Sequence, residues 1–292
     1  MRKLVTAIIT THNRQELLKR AVESVFLQTY PNIELIVVDD ASTDGTDEYC
    51  SVLPLQYIHI SKQESKGGNY ARNLGIKIAK GEYIAFLDDD DYWLPTKIEK
   101  QVALIENKDC ELVYCGRIFE NVDNKRNSIT YETFLPDRKW SGDVSLLILT
   151  QICTTTSAIL VKKDALIDVG LFDECLCFWQ EYDLTIRLAQ RKPFYFCDEP
   201  LLVYRNCSSG RLSNNYDAWL EAVSYVYNKY ADLYCQLNPV QRLKVHLYFW
   251  RDAAGRYRAA GLSGRYLMYR LLMLPFTSPS SVFRKIKRIL LK

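Results

Sequence analysis

Short continuous apolar runs alternate with stretches of helical period over residues 1–110. Leu4 to Thr10 is such a run and closes on the polar sequence Thr11-His12-Asn13-Arg14. It predicts a strand buried on both faces, followed by a loop. Leu17, Leu18, Ala21, Val22, Val25 and Phe26 then recur at spacings of three and four, which predicts an amphipathic helix that ends at Tyr30-Pro31-Asn32. Ile33 to Val38 predicts a second strand, closing on Asp39-Asp40, and Leu55 to Ile60 a third. Lys66-Gly67-Gly68 opens a helix carrying Ala71, Leu74, Ile76, Ile78 and Ala79. Tyr83 to Leu87 predicts a fourth strand, and Pro95 suits the first position of a helix continued by Ile98, Val102, Ala103 and Ile105. Strands and helices in this alternation predict an α/β fold: a Rossmann-like, mostly parallel sheet flanked by helices.

Beyond residue 110 the pattern loosens. Glu111 to Glu120 predicts a strand, Asn121 to Ser141 a polar loop, and Ile152 to Val161 another strand. Phe178 to Arg191 predicts a helix, with Asp183 and Arg187 one turn apart. Phe194 to Cys197 and Leu201 to Tyr204 predict two short strands, and helices follow from about Asn215. The expected organisation is a domain over 1–214, in halves 1–110 and 111–214, and a helical extension over 215–292.

Right-handed crossovers put the carboxyl ends of parallel strands along one edge, where open α/β sheets bind ligands. Three of those ends are polar: Thr10/His12, Asp39/Asp40 and the four aspartates Asp88, Asp89, Asp90 and Asp91. Adjacent carboxylates repel one another unless water or a cation compensates them. A hard divalent cation, Mg²⁺ or Mn²⁺, shared with substrate phosphates would do so. No Gly-x-Gly-x-x-Gly follows the first strand and no Gly-Lys-Ser/Thr is present, which disfavours dinucleotide and P-loop binding.

The net charge of +3 conceals an asymmetry: twelve basic residues and one acid from Pro239 onward leave −8 on residues 1–238. Aromatic and aliphatic residues are interleaved with that basic tail. This mixture favours an anionic membrane surface over nucleic acid, a water-facing helical cap being the bland alternative. No apolar run is long enough to span a bilayer, and the amino-terminal run reads as a strand rather than a leader. Nine cysteines without a Cys-x-x-Cys pair suggest reduced, mostly buried thiols rather than zinc ligands or a disulfide framework.

Several segments together resemble the family 2 glycosyltransferases of the GT-A fold, over roughly residues 3–205. They are Thr10-Thr11-His12-Asn13-Arg14, Val37-Val38-Asp39-Asp40-Ala41-Ser42-Thr43-Asp44-Gly45-Thr46, Ala71-Arg72-Asn73, Asp88-Asp89-Asp90-Asp91 and Gln180-Glu181-Tyr182-Asp183-Leu184. Thr10, His12 and Gln180-Glu181 depart from the family's usual Pro, Tyr and Glu-Asp. The resemblance implies an inverting enzyme that moves one sugar from a nucleotide-diphosphate sugar, UDP-hexose or UDP-N-acetylhexosamine, to a lipid-linked saccharide in surface polysaccharide synthesis. It would act from the cytoplasm, peripheral on the inner membrane face. It implies Mn²⁺ or Mg²⁺ on Asp90 and Asp88. Thr10, His12, Arg14, Asp40, Arg72, Asp88 and Asp89 would line the donor site. Glu181 would be the base, with Asp183 supporting its helix or orienting the acceptor. The halves 1–110 and 111–214 then correspond to nucleotide and acceptor binding. A sugar nucleotidyltransferase and an inactive docking protein of the same fold are the alternatives.

Overall fold

The structure, a computed structural model, describes residues 2–123, 128–207 and 216–259. The chain divides into two compact units, 1–148 with 152–211, and 149–151 with 212–292.

In the first unit, β1 (Val5–Thr11), β2 (Ile33–Asp40), β3 (Gln56–Ile60) and β4 (Tyr83–Asp88) form a parallel sheet in the order β3-β2-β1-β4. Burial of β1 and β4 on both faces explains their unbroken apolar sequences. The connecting helices are α1 (Gln15–Phe26), α2 (Thr46–Ser51) and α3 (Gly68–Ile78). Leu18, Ala21, Val22 and Val25 of α1 form its buried stripe. At Gly75 of α3 a Cβ would come within 2.8 Å of Ile8, so only glycine lets this helix lie so close to β1.

Past β4 the sheet becomes mixed. A two-residue strand β5 (Tyr92–Trp93) leads to α4 (Lys97–Glu106), which begins two residues after Pro95. β6 (Leu112–Asp123) and β7 (Ser128–Phe134) pair antiparallel. The loop expected over Asn121 to Ser141 is therefore largely a hairpin. Every residue of β7 is exposed, so burial imposes no two-residue apolar alternation there. The strand expected over Ile152 to Val161 shrinks to β8 (Leu160–Lys162), preceded by a 3₁₀ turn at Thr156–Ala158; α5 (Lys163–Asp168) and α6 (Gln180–Ala189) follow. The two short strands expected over 194–204 are one strand, β9 (Phe194–Cys207), parallel to β6. Pro200 interrupts the sequence pattern without ending β9, because it pairs with Gly116 where the register shifts. β8 joins the two parts, antiparallel to both β4 and β6.

The second unit contains α7 (Tyr216–Lys229), α8 (Ala231–Cys235) and α9 (Pro239–Ala259). Within it Arg256 lies over the ring of Trp219 and Tyr227 stacks on Tyr234. Among the described residues no helix is long and apolar enough to cross a membrane. Most of the basic tail, residues 260–292, lies outside the described residues. All eight described cysteines are free; Cys50, Cys110, Cys115 and Cys153 are buried, while Cys175, Cys177 and Cys235 are exposed.

Candidate active site

The strand order sets β1, β2 and β4 side by side, with Thr10 in register with Asp88 and Thr11 with Asp39. Two of the three polar strand ends foreseen from sequence thus lie on neighbouring strands of the central one.

At the end of β2, Asp40 is buried. Its Oδ2 accepts the N–H of Gly67 at 3.1 Å, while Oδ1 is buried with no partner among the described residues. A buried carboxylate oxygen left unpaired costs about 1–3 kcal/mol or more, so this oxygen is available to accept an N–H from a ligand or an O–H from water. His12 Nδ1 bonds the main-chain carbonyl of Asp40, and Asn13 accepts the N–H of Thr43 at 2.7 Å. Asn13 (φ 53°) and Ala41 (φ 65°) are both left-handed. Non-glycine residues adopt that conformation at a cost, and they collect at ligand sites. Asp39 plays a supporting part: fully buried, it accepts from Tyr57 Oη at 2.6 Å and from the N–H of Ser42.

The four aspartates at the end of β4 have separate surroundings. Asp88 is half-buried and paired with Arg72 of α3 at 2.6 Å. Asp89 is buried, accepting from Thr11 Oγ1 at 2.9 Å and Arg14 at 3.0 Å. Burial pushes its carboxyl up to about 6, against the pull of Arg14. Asp90 remains half-buried, with Arg14 3.5 Å away. Asp91, buried, accepts from Ser157 Oγ at 2.7 Å and from the N–H of Arg205 at 3.1 Å. Burial, then the charges of Asp90 and Asp88, hold it well above the usual carboxylate range. Ser157 also accepts the N–H of Asp88, so one hydroxyl ties both ends of the acidic turn. From sequence Asp91 is only one of the four aspartates, with no role of its own, and Ser157 is not singled out; they meet across 66 residues of chain, and no local signal announces the pairing.

These residues suit a divalent cation. The donors are hard oxygens, and four adjacent carboxylates have only Arg14 and Arg72 as ion-pair partners among the described residues. Asp88 and Asp90, both half-buried, are the two that could hold it. No group of three potential ligands occurs among the described residues, so substrate phosphates and water would complete the shell.

The loop before α6 is pinned by two amides of α3. Asn69 Nδ2 donates to the carbonyls of Asp173 and Leu176, and Asn73 donates to Phe172 and receives its N–H. This anchored loop leads into Trp179, whose φ of 61° places it in the left-handed region just before α6. Trp179 is buried, edge-on to Tyr182. Glu181 lies in the first turn of α6, where the helix dipole favours negative charge. Burial nevertheless pushes its carboxyl up; Asp88 pushes the same way, while its own N–H, Arg72 and Arg117 pull it down. Asp183 is fully buried and ion-paired with Arg187 at 2.5 Å. Arg205 reaches Glu120; Arg211 and Ser213, which the family resemblance implies lie in a loop closing over the donor, are outside the described residues. Trp93 is buried core, its indole N–H bonded to the carbonyl of Ser157.

A parallel half-sheet with a carboxylate-rich edge, facing a helix that opens on Glu181, is the arrangement of GT-A glycosyltransferases. Residues 6–170 match the Glycosyl transferase family 2 profile, and the chain belongs to that family. An uncharacterized glycosyltransferase of Rickettsia typhi is 36% identical over 69% of this chain and 64% of its own length. The putative teichuronic acid biosynthesis glycosyltransferase TuaG of Bacillus subtilis is 36% identical over 69% of this chain and 87% of its own length. The Escherichia coli UDP-Glc:alpha-D-GlcNAc-diphosphoundecaprenol beta-1,3-glucosyltransferase WfaP is 43% identical over 40% of this chain and 47% of its own. The chain thus spans less than two thirds of several curated relatives. Among solved structures, Staphylococcus aureus TarS with UDP-GlcNAc superposes with a TM-score of 0.58 at 17% identity, covering 88% of this chain and 81% of that one. The Pyrobaculum calidifontis mannosyltransferase PcManGT, with GDP-Man and Mn²⁺, has a TM-score of 0.57 at 17% identity, covering 100% and 86%.

Proposed function

We propose that this chain is an inverting, metal-dependent transferase that moves one hexose or N-acetylhexosamine from a UDP-sugar to a hydroxyl of a lipid-linked saccharide. The observation that carries this reading is Glu181: a carboxylate with a raised pKa that feels the charges of Asp88 and Arg72 from the donor half. In its roles, Asp40 Oδ1 accepts from the nucleobase N–H, beside His12 and Thr10. Arg14 steadies Asp89 and Asp90, and Arg72 orients Asp88. Asp88 and Asp90 would hold Mn²⁺ or Mg²⁺, which when bound neutralises charge on a departing diphosphate. Glu181 takes the acceptor hydroxyl's proton as that oxygen bonds the anomeric carbon and the bond to the diphosphate breaks. A positioned base of this kind is worth about 10²–10⁴ in rate. Asp183, bound to Arg187, holds the helix that presents Glu181.

The acceptor class is supported by the diphosphoundecaprenol-linked substrate in WfaP's name, and the pathway by the likeness to TuaG. The division into nucleotide, acceptor and basic carboxyl-terminal parts, with the tail on the inner membrane face, belongs to the same proposal.

The test is UDP release from a panel of UDP-sugars with Mn²⁺, using wild type and Asp90→Ala. Metal-dependent release lost in the variant is expected. Release of pyrophosphate from UTP instead would convert the reading to nucleotidyl transfer.

A further inference from the structure

Strand β6 carries a cation that has no counter-ion among the described residues. Arg117 of β6 is half-buried, and its Nε is fully buried with no hydrogen-bond partner among the described residues. No described carboxylate lies within ion-pair distance of its guanidinium. Its surroundings are aromatic instead: the guanidinium lies over Phe119 at 5.0 Å and over Phe134 at 4.7 Å, and Phe119 meets Tyr204 edge-on at 5.7 Å. Burial depresses its basicity, and Asp91 and Glu181 act on it only at longer range. The contrast with the other face of the same strands is informative. There Arg205 and Arg20 share the buried Glu120, which Tyr131 also reaches. The described residues thus supply a carboxylate to those neighbouring arginines and none to Arg117. A half-buried cation without a partner is incompletely solvated and is placed to take an anion from outside the chain.

The site has the shape of a saccharide subsite. Arg117 and Phe119, two apart on β6, share a face with Phe134 of β7 and Tyr204 of β9, which pair with them in register. Phe119 and Tyr204 are half-buried and Phe134 is 39% exposed, so a sugar can reach their rings. At the far end Asn206 bonds Asn121. Arg72, by contrast, is committed to Asp88 at 2.6 Å, and Arg117 lies on β6, outside the strands β1, β2 and β4 whose ends carry the candidate donor carboxylates. An anion at Arg117 is therefore assigned to the acceptor.

Resting on the proposed function, we infer that Arg117 with Phe119, Phe134 and Tyr204 forms an acceptor subsite that recognises a phosphate on the acceptor sugar, the diphosphate through which it is joined to lipid. The guanidinium binds a phosphate oxygen while the rings cover the sugar. One sugar ring separates that phosphate from the hydroxyl delivered to Glu181.

The test is calorimetric binding to the full chain, with UDP and Mn²⁺ present. The two probes are N-acetylglucosaminyl diphosphate esterified with a short alkyl chain, and octyl N-acetylglucosaminide, which lacks the phosphates. Wild type should prefer the diphosphate. Arg117→Met should weaken that probe by about 10- to 100-fold, the loss of one charge-assisted contact, and the octyl glycoside by less than twofold. Arg117→Lys, which keeps the charge and guards against a folding defect in the Met variant, should retain a preference for the diphosphate. Equal affinity of wild type for both probes, or equal weakening of both by Arg117→Met, would each overturn the inference. UDP release by wild type distinguishes the two levels: turnover without a diphosphate preference refutes the subsite alone, whereas absence of turnover with every UDP-sugar refutes the proposed function.

Discussion

Lys97 offers a sharp test of the physical account, because its ammonium is fully buried in the core beneath the acidic turn. It donates to Gln101 Oε1 at 2.6 Å and lies 4.2 Å from the centre of the Trp93 ring. Gln101 in turn bonds the carbonyl of Ala158 and Trp93 that of Ser157, so the lysine underpins the segment that holds Asp91. Burial depresses its pKa from 10.5 to about 8. Between those values the unfolded chain binds more protons than the native one, so stability rises with pH across that window. Below pH 8 both states are charged and the penalty is fully present; above 10.5 both are neutral and it is gone. A depression of this size corresponds to about 3 kcal/mol. Lys97→Met removes that penalty but leaves Gln101 Oε1 without its donor, a cost of about 1–3 kcal/mol. At pH 7 the variant should therefore match wild type to within about 2 kcal/mol. From pH 7 to 10.5 wild type should gain about 3 kcal/mol relative to it. Urea unfolding of both proteins at pH 7, 9 and 10.5 reads this difference directly, since all other titrating groups cancel. A difference that stays constant with pH would refute the buried, cationic lysine.

Glu181→Gln should retain donor affinity and lose about 10²–10⁴ in turnover, measured as UDP release; a variant within tenfold of wild type removes Glu181 as base. Because burial raises the Glu181 pKa, the acid limb of kcat/KM should fall above pH 4.5, with activity lost as pH drops through it, and a limb at or below 4.5 contradicts the burial argument. Asp40→Asn should weaken UDP binding about tenfold or more by calorimetry, since the unpaired Oδ1 is the acceptor offered to the base; unchanged affinity places the base elsewhere. Ser157→Ala should cost about 1–3 kcal/mol in thermal unfolding by stripping a donor from buried Asp91, and no loss would show that the turn is held without it.

What could be read from sequence was whatever local pattern controls. The buried strands and their polar ends were legible because a strand covered on both faces must be apolar until it leaves the core. Asp40 and Asp88 stood out for that reason. The hairpin of β6 and β7 was not legible, since a strand exposed on both faces carries no alternation. Nor was the continuity of β9 through Pro200, which depends on a register shift opposite Gly116. Ser157 and Arg117 escaped notice, and Asp91 passed as one acid of four, because their significance lies in a partner supplied, or withheld, by distant chain. Trp179 read from sequence as a ring near the expected base that could stack on a sugar; its left-handed backbone, where the anchored loop meets α6, was not legible because no local pattern announces it.

The side-chain amides of Asn69 and Asn73 give that loop its position before any substrate arrives, and this bears on how such enzymes can be recombined. A segment transplanted from a relative to change the sugar being extended would dock correctly only if its main-chain groups at 172–176 met the same two asparagines. Breakpoints for chimaeras should therefore fall after residue 176, so that the graft inherits its anchorage from the host.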